Sequence, residues 1–378
     1  MDLRWLSAPA DEVAEAMLRY RLSSRPSWVP TKRRVLVHVN HCLMIWYLFV
    51  VLMVLGVRID TLQSNRINAI DVRDMVICGA IFALWVVGAV CLYRWSKQPP
   101  SSQAKVREAR QVLTALANGF ESSPCRGASF AALITGEEHL RSYPRFVADG
   151  IEFGNLGYRT NARSGTWHYL AVQLPAPVPH MLLDSAASRG FAKLMPVQLR
   201  AHQDLSLEGD FDRWFRAYAP GGYGRDARYL LTPDVMDALV DCAHAFSVEM
   251  RDSRVVFCAP EAADFSHEEP WIKIEQLVDE VVETLARNAS RYRDHRIEEQ
   301  NVSPTMESIR VAIESPGERW IEPTPRIARD GTRLRLIDRR TGLWLAFGAV
   351  GWVATLAFLY AVPTIFAFAG FMSIADGR

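Results

Sequence analysis

Three carboxylates stand at alternate positions in LSLEGDFDRWF: Glu208, Asp210 and Asp212. Clustered carboxylate oxygens suit a divalent cation or acid/base work. The calcium-loop spacing and its distal Glu are missing, so solvated turn and cap residues are the competing account. Residues 220–226 read PGGYGRD. Such a turn can face a phosphate with its backbone N–H groups, with Arg225 beside it. Neither G-x-x-x-x-G-K-[ST] nor G-x-G-x-x-G is present there, which favours a plain turn. Arg159 and Arg163, in the turn-rich RTNARSG, complete the set of candidate binding residues.

Other groups with chemical potential lack partners in the sequence. His38 and His41 share a helical face at i and i+3 and could ligate a metal, but no third ligand is in view. Ser129 lies in G-A-S-F-A rather than G-x-S-x-G, so no nucleophile elbow is expected. Cys242, on an expected helix, and Cys258, on an expected hairpin, could approach each other as a redox pair. Buried structural thiols are the default in a reducing cytoplasm. No metal, no cofactor and no catalytic group is therefore expected.

The elements that carry these residues follow from composition and patterning. The chain has 378 residues, with 43 Lys+Arg against 42 Asp+Glu. Near-neutral charge argues against nucleic acid as a partner. Six Cys without a C-x-x-C pair exclude a zinc ribbon and a disulfide-rich secreted module. Apolar residues make up 49% of the chain and gather in three blocks. Val35–Val57 and Met75–Tyr93 carry no acidic, Lys or Arg residue and are long enough to span a hydrocarbon core of about 30 Å. Gly342–Met372 forms the third block, read as one tilted span kinked at Pro363, with re-entry after Pro363 as the alternative. No ionisable group falls between Cys42 and Val57, Val76 and Leu92, or Leu343 and Met372. Transporters and proton relays keep such groups at mid-membrane, so these spans read as anchors.

Arginines and lysines flank the start of the first block, the end of the second and the start of the third. The excess of basic residues marks the cytoplasmic side. It puts the N-terminus and central region in the cytoplasm, and the 58–74 loop and C-terminus outside. The expected organisation is a cytoplasmic amphipathic segment (1–34), a transmembrane hairpin (35–93), a helical connector (94–149), an α+β domain (150–297), a linker (298–341) and a C-terminal span (342–372).

Within the cytoplasmic chain, short β-prone runs from Gly150 (IEFGNLGY, TWHYLAVQL, HMLLDS) predict antiparallel strands. Leu205 and Leu207 alternate as in a strand, whereas Phe211, Trp214, Phe215 and Tyr218 recur at helical spacing. ARYLL predicts a strand and PDVMDALVDCA a helix opened by Thr232 and Pro233. FSVEMRDSRVVFCAP predicts a hairpin with Arg251–Ser253 at its tip. Pro270 opens a long amphipathic helix, striped by Ile274, Leu277, Val281, Leu285 and Ala289, that should cover the sheet. In 298–341 a single strand is expected at IRVAI.

The segments VQLPAPVPHMLLDS, LSLEGDFDRWFRAYAP, DARYLLTPDVMDALVD and FSVEMRDSRVVF resemble a family of bacterial membrane proteins known only as a domain of unknown function. The likeness covers residues 150–262 and rests mainly on Ala227–Pro233. It implies a membrane-tethered cytoplasmic α+β domain and brings no catalytic residues.

The resulting expectation is an inner-membrane protein. Its antiparallel sheet and covering helices would bind a partner protein or further copies of the chain. The alternative is a membrane-tethered domain, enzymatic or not, that responds to a small molecule or cation through Glu208, Asp210, Asp212 and Arg225.

Overall fold

The computed structural model describes residues 1–19, 32–62, 69–97, 102–135, 140–159, 164–188, 197–199, 201–300, 303–315 and 317–338, with short stretches between 354 and 369. The chain divides into two compact units. One contains Met1–Leu22 and Gln103–Thr341, the other Ser23–Ser102 and Gly342–Arg378.

The first unit is α+β. Its first stretch holds the short helices α1 (Arg4–Ser7) and α2 (Ala10–Arg19). The apolar unit's helices are α3 (Lys32–Leu62) and α4 (Ala69–Lys97), and α5 (Ser102–Ala117) opens the second stretch of the α+β unit. Ala8 and Val13 bury against Ala109 and Leu113 of α5, so the amphipathic N-terminal segment packs on its own unit.

The strands are β1 (Glu121–Ser122), β2 (Cys125–Arg126), β3 (Arg141–Ala148), β4 (Ile151–Arg159), β5 (Ser164–Ser185), β6 (Val197–Leu199), β7 (Asp204–Leu205), β8 (Phe215–Tyr218), β9 (Ser247–Pro260) and β10 (Leu336–Asp338). Among the described residues every ladder between these strands is antiparallel. The sheet therefore begins at Glu121, well before the Gly150 expected from β-prone runs. The missed strands carry charge and proline (ES, CR, RSYPRFVA) and are held by pairing rather than by propensity.

β9 doubles back on itself. The Cys258 thiol reaches the Ser247 carbonyl at 3.4 Å, whereas eleven residues of straight strand would span about 36 Å. The fold falls at Asp252, whose φ of 55° gives the left-handed turn, at the expected hairpin tip. β5 wraps this hairpin. Its first arm pairs His168–Gln173 with Ala259–Arg254, and its second pairs Met181–Leu183 with Met250–Val248. The intervening PAPVP crosses at the tip, where three prolines that cannot donate to a ladder cost nothing. β4 then flanks the first arm and β8 the second. The outermost strands, β1, β2 and β7, are two residues each, which leaves little open edge.

One face of the sheet packs under helices. Phe146, Phe153, Phe265 and Trp271 form an aromatic cluster with centroids 5.1–5.8 Å apart. Over it runs α8 (Glu269–Gln276), a π turn (Leu277–Val282) and α9 (Glu283–Arg291), burying Ile274, Leu277, Val281, Leu285 and Ala289 as the stripe predicted. Gly154, with φ 152°, faces the bulge between Ser142 and Arg145. A Cβ there would lie 2.1 Å from the Pro144 carbonyl oxygen.

Four local expectations are corrected. Phe211–Arg213 is a single 3-10 turn and Phe215–Tyr218 is strand β8, because pairing with Leu182–Ser185 outweighs the helical spacing of the aromatics. ARYLL belongs to a helix, α6 (Gly224–Leu230), whose Ala227 and Leu230 bury together at helical spacing. The expected helix at Pro233 is α7 (Pro233–Ala243), but the Thr232 hydroxyl accepts from Asn288 at 3.2 Å instead of capping it. IRVAI also lies in a helix, α10 (Pro304–Glu314), where Arg310 pairs with Glu307 and Glu314 along the exposed side.

In the apolar unit, Trp85 Nε1 donates to Asn40 Oδ1 at 2.9 Å and the Tyr47 hydroxyl to the Cys78 carbonyl at 2.8 Å. These pairings make α3 and α4 antiparallel. Of the third block, Ala357–Ala361 is a helical turn whose Phe358 ring lies 4.7 Å from Trp46. Among the described residues, α4 carries the one stretch long and apolar enough to cross a membrane, and none of that stretch is buried. Pro363 lies outside the described residues.

Candidate functional site

The second face of the sheet carries apolar Leu156, Trp167, Tyr169, Leu182, Val256 and Cys258. Between these stand buried polar groups: Ser142, Arg145, Glu152, His180 and Glu249. Among the described residues no α-helix belongs to this face. Two straps do: one through Ser129–Leu133, which ends on Glu152 and Glu249, and one through Leu334, which ends on His180.

Glu152 is the centre of the first cluster. Arg145 reaches it in a fork, Nε to Oε1 at 2.8 Å and Nη2 to Oε2 at 3.0 Å, across the β3–β4 ladder. The Tyr169 hydroxyl donates to Oε1 at 2.7 Å, and the Ser129 hydroxyl donates to Oε2. Burial opposes ionisation of Glu152. The Arg145, Ser129 and Tyr169 hydrogen bonds outweigh it and hold the carboxyl below its usual range. Burial, with Glu152 alongside, pushes the Tyr169 hydroxyl well up. An ionised carboxylate with every lone pair engaged is a poor base, and a neutral phenol is a poor nucleophile. The cluster can anchor a strap but is not set for proton transfer.

The second cluster is a dyad. His180 Nε2 and Glu249 Oε1 are 2.9 Å apart, Glu249 Oε2 accepts the Leu133 N–H at 2.6 Å, and His180 Nδ1 accepts the Leu334 N–H at 3.0 Å. At the tip of the same hairpin, Arg333 Nη1 donates to Asp252 at 2.9 Å, which fastens the second strap from outside.

A third network explains PGGYGRD. Tyr223 is fully buried, its hydroxyl donating to Asp294 at 2.8 Å, with the Arg296 guanidinium 3.7 Å above its ring. Arg296 also bridges Asp226 and Asp294 at 3.0–3.2 Å, while the Tyr292 hydroxyl donates to Asp226 at 2.8 Å. The Ala328 N–H donates to Asp294 at 2.9 Å. The motif is thus bound into the protein through its tyrosine and aspartate, and Arg225 is left exposed.

The residues singled out in the sequence fall in two places. Glu208, Asp210 and Asp212 are exposed at the turn after β7. Asp212 accepts from Ser206 Oγ and from the Leu207 N–H at 3.1 Å, which accounts for it as a turn residue. Arg225 lies nearby, because Arg228 of the same helix donates to the Ser206 carbonyl at 3.2 Å. Arg159 ends β4 opposite Ser164, across the sheet from that edge, and Arg163 lies outside the described residues. Among the described residues no group of His, Cys, Asp and Glu is placed to hold a metal ion. Cys242 and Cys258 do not approach: Cys242 packs on the helix-covered core and Cys258 on the opposite face, with the sheet between them.

Sequence reasoning missed the buried polar face. A Glu or His at alternate positions of a strand reads as solvent-facing, and the only signal was its place among residues as apolar as HMLLDS and SVEM.

These features define a class, an α+β domain with a strapped sheet face, joined in one chain to an antiparallel apolar helical hairpin. Neither a family model nor a curated protein matches the chain. Among solved structures it is similar to the crystal structure of the mycobacterial trehalose monomycolate transport factor A, TtfA. That likeness has 10% identity and a TM-score of 0.31 over 48% of this chain and 93% of that one, too slight to carry an argument.

Proposed function

We propose that this is an integral inner-membrane protein of three spans whose α+β unit faces the cytoplasm and serves as a protein-interaction or accessory module. The observation that carries the reading is the uncovered apolar surface of α4, where Leu84, Val76 and Val87 are 73%, 65% and 60% exposed. Side chains of that kind in a row need lipid or protein around them. The uncharged runs Val35–Val57 and Gly342–Met372 support two further spans, and the basic flanks support a cytoplasmic N-terminus and an external C-terminus. The resemblance of residues 150–262 to bacterial membrane proteins points the same way.

The interaction role rests on where the charged groups go. The buried ionisable pairs hold strands and straps, while exposed aromatics neighbour the charged candidates in the chain: Trp214 follows Glu208–Asp212 and Tyr229 shares a helix with Arg225, 40% and 48% exposed. Large aromatics beside charges suit a protein partner.

Purification of the tagged chain from its native membrane in mild detergent, with the mass and components of the complex determined together, tests this. A stoichiometric second protein, or a homo-oligomer, supports the module. A monomer with nothing bound counts against it. Arg225→Ser and the pair Arg159→Ser with Arg163→Ser, made separately, tell which edge is used; unchanged recovery in both rejects these surfaces.

A further inference from the structure

His180 on β5 and Glu249 on β9 are each 1% exposed. Their outer atoms are used on backbone amides of the two straps, Leu133 and Leu334. A backbone amide only donates, so His180 Nδ1 carries no proton, and the ring proton sits on Nε2 and points to Glu249. Four groups then stand in one line: Leu334 N–H, the imidazole, the carboxylate, and Leu133 N–H. Each bond in the line depends on the tautomer set by the next.

We propose that the His180–Glu249 pair is a hydrogen-bond relay that couples the two straps, so that loosening the Leu334 strap also loosens the Leu133 strap. When Leu334 withdraws, Nδ1 is left as a buried acceptor with no donor, a costly state in a low-dielectric interior. A proton moved to Nδ1 gives no relief, because it would be a buried donor without an acceptor and would turn the Nε2 lone pair on the carboxylate. The ring instead shifts after the retreating strap to regain a partner, and the Glu249 carboxylate that its Nε2–H positions is drawn off the Leu133 N–H. The Asp252–Arg333 clamp stands at the hairpin tip, and the buried Cys258 thiol, held neutral, feels the Glu249 charge. Neither supplies a replacement donor to Nδ1 or Oε1 among the described bonds.

Hydrogen exchange on the full chain in mild detergent tests the relay. Arg333→Ala removes the outer clamp of the second strap without touching the dyad. We expect exchange at 332–336 to rise, and exchange at 130–135 to rise with it by roughly threefold or more. In a His180→Gln background, which keeps a donor toward Glu249 but lacks the Nδ1 acceptor, Arg333→Ala should no longer change 130–135. No change at 130–135 in the parent, or an equal change in both backgrounds, overturns the proposal. The wild-type protein provides a check that needs no variant. Imidazole nitrogen NMR must show His180 protonated at Nε2 alone, and a proton on Nδ1 would refute the relay. A failed complex purification leaves these outcomes intact, so the two proposals fall separately.

Discussion

Arg145 and Glu152 meet as a two-bond fork across the β3–β4 hairpin, and the carboxylate they share with Tyr169 and Ser129 is the inner anchor of the first strap. A carboxyl held below its ordinary value contributes stability that is present above the unfolded value and lost as pH falls through the folded one. The thermal midpoint of the α+β unit should therefore drop as pH falls below about 4.5. Glu152→Gln should flatten part of that slope. A midpoint independent of pH in this range, or an unaltered slope in the variant, would contradict the arrangement.

Gly331 sits against Tyr223. A Cβ on Gly331 would come within 2.3 Å of the Tyr223 ring, which is itself held by Asp294 and Arg296 and has no room to retreat. Gly331→Ala should destabilise the unit by about 1–3 kcal/mol, read as a lower urea midpoint. Tyr223→Phe, which keeps the ring and loses the bond to Asp294, should cost about 1 kcal/mol. Equal stability of Gly331→Ala and wild type would place this strap elsewhere.

Cys258 is buried on the strapped face, and burial pushes its thiol well up. Reactivity follows the thiolate. At neutral pH an alkylating reagent should leave Cys258 unmodified in the folded protein and modify it on unfolding, as read by peptide mass spectrometry. Labelling under native conditions as fast as in denaturant would mean that the face is open.

Leu84, in the uncovered window of α4, is the place to test the membrane assignment. Leu84→Arg should oppose insertion by about 2.5–3.5 kcal/mol, lowering the membrane-bound fraction on carbonate extraction. A reporter fused after Arg378 should register an external location. Full recovery of Leu84→Arg in the membrane fraction would argue that α4 is covered by protein.

Much of the architecture was legible from local pattern. The stripe of α8 and α9 appears at 3.6-residue spacing, the hairpin tip at Asp252 appears in RDS, and Pro233 opens α7 as its position suggests. Errors fell where pairing or packing overrode propensity. Phe215–Tyr218 is a strand because β5 lies beside it, and Ala227–Leu230 is helical because those residues bury together. The candidate site was less legible. Glu208, Asp210 and Asp212 catch the eye as a cluster yet are solvated turn residues, whereas Glu152 meets Tyr169, and His180 meets Glu249, from different strands and only in space.

The sequence by itself determined the apolar blocks, their basic flanks, the antiparallel character of the central region and the helix that covers one sheet face. Each of these is written in short-range periodicity or composition, which depends on neighbours within a turn or two of chain. Only the tertiary structure decided that β5 wraps the β9 hairpin, that the second face is closed by two straps, and that Leu133 and Leu334 are held by one buried histidine–glutamate pair. Those relationships join residues far apart in the chain. A buried polar group's partner is chosen by the packing that excludes water around it, and no local pattern records that choice.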